Sequence, residues 1–148
     1  MKTLRTLIAL IALGAIAATL TPRAIGQEPP KPTKYENVNW YAAVYMKFKS
    51  NRAEEAQKII NQYFVPADKA IGREVIAFEC KSGPWDLIVY IPMPDGPAEL
   101  AWKNSPTEGK WMAEIAKIAG GPQKAVEAFK EFTDLIVVED RQIVLRHK

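Results

Sequence analysis

From Asn39 the apolar positions alternate. Trp40, Ala42, Val44, Met46 and Phe48 fall in one row and Tyr41, Ala43, Tyr45 and Lys47 in the other, which is the period of a β-strand. The period then lengthens. Asn51 is placed to cap a helix, with Glu54 three residues on in capping-box position. Ala56, Ile59, Ile60, Tyr63 and Phe64 form its apolar stripe. Pro66 has no N–H to donate and is expected to end or kink this helix, and Gly72 closes the segment.

Glu74 to Cys80 and Trp85 to Ile91 predict two strands around the loop Lys81-Ser82-Gly83-Pro84. With all four of these residues in the loop, Cys80 faces Trp85 and Glu79 faces Asp86. One face then holds Ile76, Phe78, Cys80, Trp85, Leu87, Val89 and Ile91. The other holds Val75, Ala77, Glu79, Asp86, Ile88 and Tyr90. The sorting rests on register, because a slip of one residue reverses one strand's faces.

Past Pro92 the pattern is helical. Pro97 to Lys103 is a short segment, and Ser105-Pro106-Thr107-Glu108 is a capping box with proline at the first helical position. Trp111, Ile115 and Ile118 follow at helical spacing. Gly120-Gly121 stops that helix, and Pro122 starts another carrying Ala125, Phe129, Phe132 and Ile136. A last strand, about Val137 to Arg146, turns Ile143 and Leu145 one way and Gln142, Val144 and Arg146 the other.

The order β-α-β-β-α-β defines an α+β fold, a ferredoxin-like antiparallel sheet with extra helices before the last strand. Its first and third strands are central, which suits the apolar runs WYAAVYMKF and WDLIVYI; the more charged second and fourth suit the edges. Helices cover one face only. The face with Trp40, Val44, Phe78, Leu87, Val89 and Ile143 is expected to take them. The other presents Tyr41, Tyr45, Tyr90, Ala43, Val75, Ala77 and Ile88, an apolar patch of the kind that marks a partner or ligand. A second sheet packed against it, in a homodimer, would cover it.

The start of the chain changes the picture. Lys2 and Arg5 precede an apolar run from Thr6 to Leu20, too short for a membrane span of about 20 residues. Small residues at Ala24 and Gly26 follow. Residues 1–26 therefore read as a secretory signal peptide cut before Gln27, with an uncleaved anchor as the rival reading. No cysteine lies near the cut, which excludes a lipoprotein. Residues 27–37, opening QEPPKPTKYE, read as a proline-rich tether, and residues 38–148 as a single domain. Lys2, Arg5 and Arg23 leave with the signal, so the twenty basic residues fall to seventeen, equal to the seventeen acidic ones. A net charge of zero with no basic run gives nucleic acid no electrostatic footprint, and none to a membrane surface after cleavage.

Chemistry is sparse. Cys80 has no partner for a disulfide, and its place in the row of Phe78 and Trp85 predicts a buried, inert thiol. Glu79 and Asp86, opposed across the hairpin, are the candidates for an acid/base couple, since paired carboxylates raise one pKa. The alternative is that both are solvated, with Lys47 or Lys81 close by. His147 alone, at a terminus expected to fray, cannot build a metal site, so no metal or cofactor is expected. GGPQK lacks P-loop spacing, and Ser50, Ser82 and Ser105 are explained by turns and caps.

Over residues 38–147, in element order and in the third strand WDLIVYIPM, the chain resembles the dimeric α+β barrel superfamily, which includes the antibiotic-biosynthesis monooxygenase-like domains. The resemblance implies a barrel of two paired sheets, with small molecules held between sheet and helices. Some members are cofactor-free oxygenases and others handle haem; a chain whose one histidine is His147 departs from the haem branch. The helical insertion around Ser105–Ala119 exceeds the minimal fold.

Three function classes follow: an exported dimer that binds a small, partly apolar molecule; a cofactor-independent oxygenase or isomerase with Glu79 or Asp86 as base; and a structural or interaction domain. For a ligand, the expected contacts are Tyr41, Tyr45, Tyr90 and Arg146, apolar rings with a few polar groups on the side without helices.

Overall fold

Two strands, β1 (Val38–Phe48) and β3 (Leu87–Met93), form the centre of a four-stranded antiparallel sheet. β2 (Ile76–Glu79) lies outside β3, and β4 (Ile136–His147) lies outside β1. The order β2-β3-β1-β4 is the ferredoxin-like arrangement the sequence predicts. This computed structural model describes residues 31–148. The expected signal peptide, its cleavage site and the start of the tether lie outside the described residues. Lys31–Glu36 are exposed and carry no regular structure, and Tyr35–Lys148 form one compact unit.

The first crossover is helical throughout: α1 (Ala53–Ile59), a π-helical turn (Ile60–Phe64) and α2 (Val65–Ala70). Pro66 neither ends the helix nor stands unaccommodated. The wide turn before it lets the Val65 N–H reach back to the Ile60 carbonyl, and Pro66 falls in the first turn of α2. Asn51 does not cap α1. It takes a left-handed conformation (φ 61°) in the turn out of β1, and Arg52 occupies the cap position without a side-chain hydrogen bond. Gly72, also left-handed (φ 67°), closes the crossover as expected.

The second crossover opens with a 3-10 turn (Gly96–Ala101), followed by α3 (Pro106–Ala119) and α4 (Pro122–Asp134). Ser105 Oγ accepts from the Glu108 N–H at 3.1 Å, half of the predicted capping box. Left-handed Gly120 (φ 82°) ends α3. The core joins Val44, Met46, Phe48 and Leu87 of the sheet to Ile59, Phe64, Trp111, Ile115 and Phe132 of the helices. Phe64 stands 5.0 Å from Phe132 and 5.1 Å from Trp111, ring centre to ring centre. Ile118 and Phe129, expected in the apolar stripes, lie at the margin and remain exposed; Ala128 is buried in α4.

The hairpin register differs from the expected one by one residue. Glu79 pairs with Leu87, Phe78 with Ile88, and the Cys80 N–H donates to the Asp86 carbonyl at 2.9 Å. The loop therefore runs Lys81–Trp85, and the faces of β2 are reversed. Two contacts explain the slip. Trp85 leaves the strand and packs its ring on Tyr45 at 5.8 Å, and Asp86 moves to the end of β1. There its carboxylate accepts from Lys47 Nζ at 2.7 Å and from the Phe48 N–H at 2.8 Å. The expected register would have set two carboxylates side by side, a destabilising arrangement. His147, expected at a free end, is part of β4: it pairs with Val38, and the Lys148 N–H donates to the Asn37 carbonyl.

Candidate ligand site

The face without helices carries the tyrosines, as expected. Ala43 pairs with Tyr90, and Tyr41 and Tyr45 flank Ala43 in the same row of β1. Tyr41 meets Tyr90 edge to face at 6.4 Å, and Ala43, paired with Tyr90, is fully buried. Tyr45 holds its proton more tightly than an ordinary phenol, through burial first, then the neighbouring Tyr90, with Asp140 adding to it. Arg146 pairs with Asn39 and so shares this face, near the last residues of β4. The three tyrosines come together; Arg146 is on their face but two positions along β1 from Tyr41.

The reversed β2 alters the rest of that face. Ile76 and Phe78, rather than Val75 and Ala77, stand beside Tyr90, with Phe78 at 6.1 Å from its ring and 55% exposed. Cys80 follows Phe78 in the same row and is partly exposed, so the expectation of a buried thiol in the core row is corrected. Glu79 moves to the row of Leu87, which faces the helices, and the expected Glu79–Asp86 couple does not form. Each acid has its own lysine: Lys47 for Asp86, and Lys81 Nζ at 2.5 Å for Glu79. Lys47 and the Phe48 N–H hold the Asp86 carboxyl below the usual range. A carboxylate so engaged is a poor base near neutral pH.

On the opposite side of the sheet, between it and the helices, lies a cavity of about 940 Å³ that is open to solvent. Its apolar wall includes Ala42, Val89, Ile91 and Phe64. β2 is exposed along its whole length, because the helices stop short of this edge, and the gap they leave is the cavity. Asp68 and Arg73 meet on its lining. Asp68 sits on α2, and the left-handed turn at Gly72 brings the chain back so that the Arg73 N–H donates to the Asp68 carbonyl at 2.9 Å. Arg73 Nε and Nη2 both reach Asp68 Oδ1, at 2.6 and 2.5 Å. The guanidinium lies 4.8 Å from the Trp111 ring centre, within cation–π range.

Burial pushes the Asp68 carboxyl above its ordinary value, and Arg73 opposes the shift. The Trp111 indole N–H also favours the ionised form, at longer range than a hydrogen bond. It is the one buried side-chain donor among the described residues with no hydrogen-bond partner. Nothing in the sequence reading singled out Asp68 or Arg73, and Trp111 figured only as a packing residue. The legible signal was an acid and a base bracketing Gly72, one turn beyond a proline-marked helix. No cluster of three or more metal-binding side chains occurs among the described residues, and no helix there is long and apolar enough to cross a membrane.

The α+β fold of this chain is shared with known structures. A NIPSNAP-family protein of unknown function from Agrobacterium tumefaciens superposes with a TM-score of 0.51 at 16% identity, over 77% of this chain and 93% of that one. A second NIPSNAP-family protein from the same organism gives 0.47 at 12% identity, over 72% and 90%. A Nitrosomonas europaea protein, provisionally described as an antibiotic biosynthesis monooxygenase, gives 0.39 at 12%, over 74% and 97%. No protein-family model matches the chain, and no curated protein matches it. At 16% identity, the likeness to the first of these is one of fold.

Proposed function

We propose that this chain is an exported, homodimeric domain that holds a small, partly apolar molecule in the cavity between its sheet and helices. The observation that carries the reading is the cavity itself, about 940 Å³ with an apolar wall and an Asp68–Arg73 pair on its lining. Such a volume, with an apolar wall facing polar groups, is within the range of small-molecule sites. The tyrosine face then serves as the dimer seam. Ile76, Phe78 and Val138 are exposed on it, and an interface of about 800 Å² per partner would cover them. The basic start and short apolar core of residues 1–26 support export.

Two measurements test this. Light scattering should give a dimer at micromolar concentration; a monomer would remove the seam. The uncharged dye Nile red should bind saturably. Ala77→Trp, which fills the cavity from β2, should abolish that binding, and Tyr45→Ala should leave it intact. The reverse result, binding lost in Tyr45→Ala with the dimer preserved, would move the site to Tyr41, Tyr45, Tyr90 and Arg146.

A further inference from the structure

The Asp68–Arg73 pair is joined asymmetrically. Both guanidinium contacts converge on Asp68 Oδ1, and among the described residues Asp68 Oδ2 and Arg73 Nη1 make no other hydrogen bond. Both residues line the cavity. An acceptor and a donor with unused capacity thus belong to two paired residues of a lining that also has an apolar wall. Arg73 cannot give up its proton, and its own carboxylate neighbour already neutralises it. The other charges on the lining also balance: Lys69, Lys103 and Arg141 against Glu74, Glu99 and Glu108. An anion entering here would lose its hydration without meeting an uncompensated cation, and it would stand beside a carboxylate that burial already disfavours. An uncharged group that both donates and accepts meets neither cost.

Building on the reading of this cavity as a ligand site, we propose that it selects uncharged molecules in which an apolar body carries one primary amide or alcohol. Asp68 Oδ2 accepts from that group and Arg73 Nη1 donates to it. The site discriminates against the corresponding carboxylates.

The test compares 2-naphthamide with 2-naphthoate, which share a ring system and differ in charge, by calorimetric titration at pH 7.5. The amide should bind about tenfold more tightly or better, the scale of one hydrogen bond to a charged group. Asp68→Asn removes the neutralising charge, so it should weaken the amide and strengthen the naphthoate, narrowing or inverting the preference. Arg73→Lys keeps the charge and loses the planar fork, and should weaken the amide in a folded protein even where Asp68→Asn unfolds. Equal affinities, tighter binding of the naphthoate to the unaltered protein, or amide affinity unmoved by both variants would overturn the proposal. If neither naphthalene binds while Nile red still does and Ala77→Trp blocks it, this ligand class is wrong and the cavity reading stands. If Nile red fails as well, the cavity reading falls with it.

Discussion

Asp86 is the residue that sets the hairpin, and its removal should be costly in a way that pH dissects. Its side chain is 28% exposed, and its two oxygens are used on different partners, Lys47 Nζ and the Phe48 N–H. A hydrogen bond from a backbone N–H to a carboxylate contributes about 1.5–3 kcal/mol. The ion pair to Lys47, itself 42% exposed, adds about 0.5 kcal/mol after screening. Asp86→Ala should therefore cost about 2–3 kcal/mol, a fall in Tm of about 8–12 °C at roughly 4 °C per kcal/mol. Asp86→Asn keeps an acceptor for Phe48 and should cost about 1 kcal/mol.

The sign of the pH dependence follows from the direction of the shift. The folded-state pKa of Asp86 lies below its ordinary value, so its stabilisation is present above about pH 4 and is lost as pH falls through the folded value. Urea unfolding of the protein and of Asp86→Asn at pH 7 should show the full deficit. Towards pH 2 the unaltered protein loses the same charge, and the two curves should converge. An Asp86→Asn variant as stable as its parent at pH 7, or a deficit equally large at both pH values, would refute the assignment of Asp86 as an ionised clamp on β1.

Three further outcomes are expected. Ile115, with no solvent exposure, should cost about 2–5 kcal/mol on change to Ala in the same urea assay. Gly96→Ala should lower the Tm, because a Cβ there would lie 2.9 Å from Trp40 Cδ1 on backbone of φ 59°, a left-handed conformation that costs a side chain about 1–2 kcal/mol. Cys80 should react readily with a thiol reagent in dilute protein and more slowly as concentration rises into the dimeric range; a rate independent of concentration would place it outside the seam.

What the sequence made legible, and what it hid, divides by the range of the interaction. The strands β1 and β3 could be read because their side-chain alternation is local and strong, and the central-edge order followed from their apolar content. The cap at Ser105 and the stop at Gly120 are equally local. Asn51 misled, because the same residue type serves as a cap or as a left-handed turn, and the chain reversal at the end of β1 required the second. The hairpin failed at long range: a four- and a five-residue loop are almost equally permissible, and the choice lay with Lys47 and the Phe48 N–H, nearly forty residues from Asp86. That single slip moved Phe78 and Cys80 to the tyrosine face and Glu79 off it. The cavity was hidden for a similar reason. Its wall on β1 and β3 is made of residues whose alternation predicts a packed face, and nothing in Val75 or Ala77, brought to it by the same slip, says that the helices end short of the sheet edge. Asp68 and Arg73 look in sequence like solvated charges at a helix end; only the turn at Gly72 folds one onto the other and turns them towards the space the helices leave.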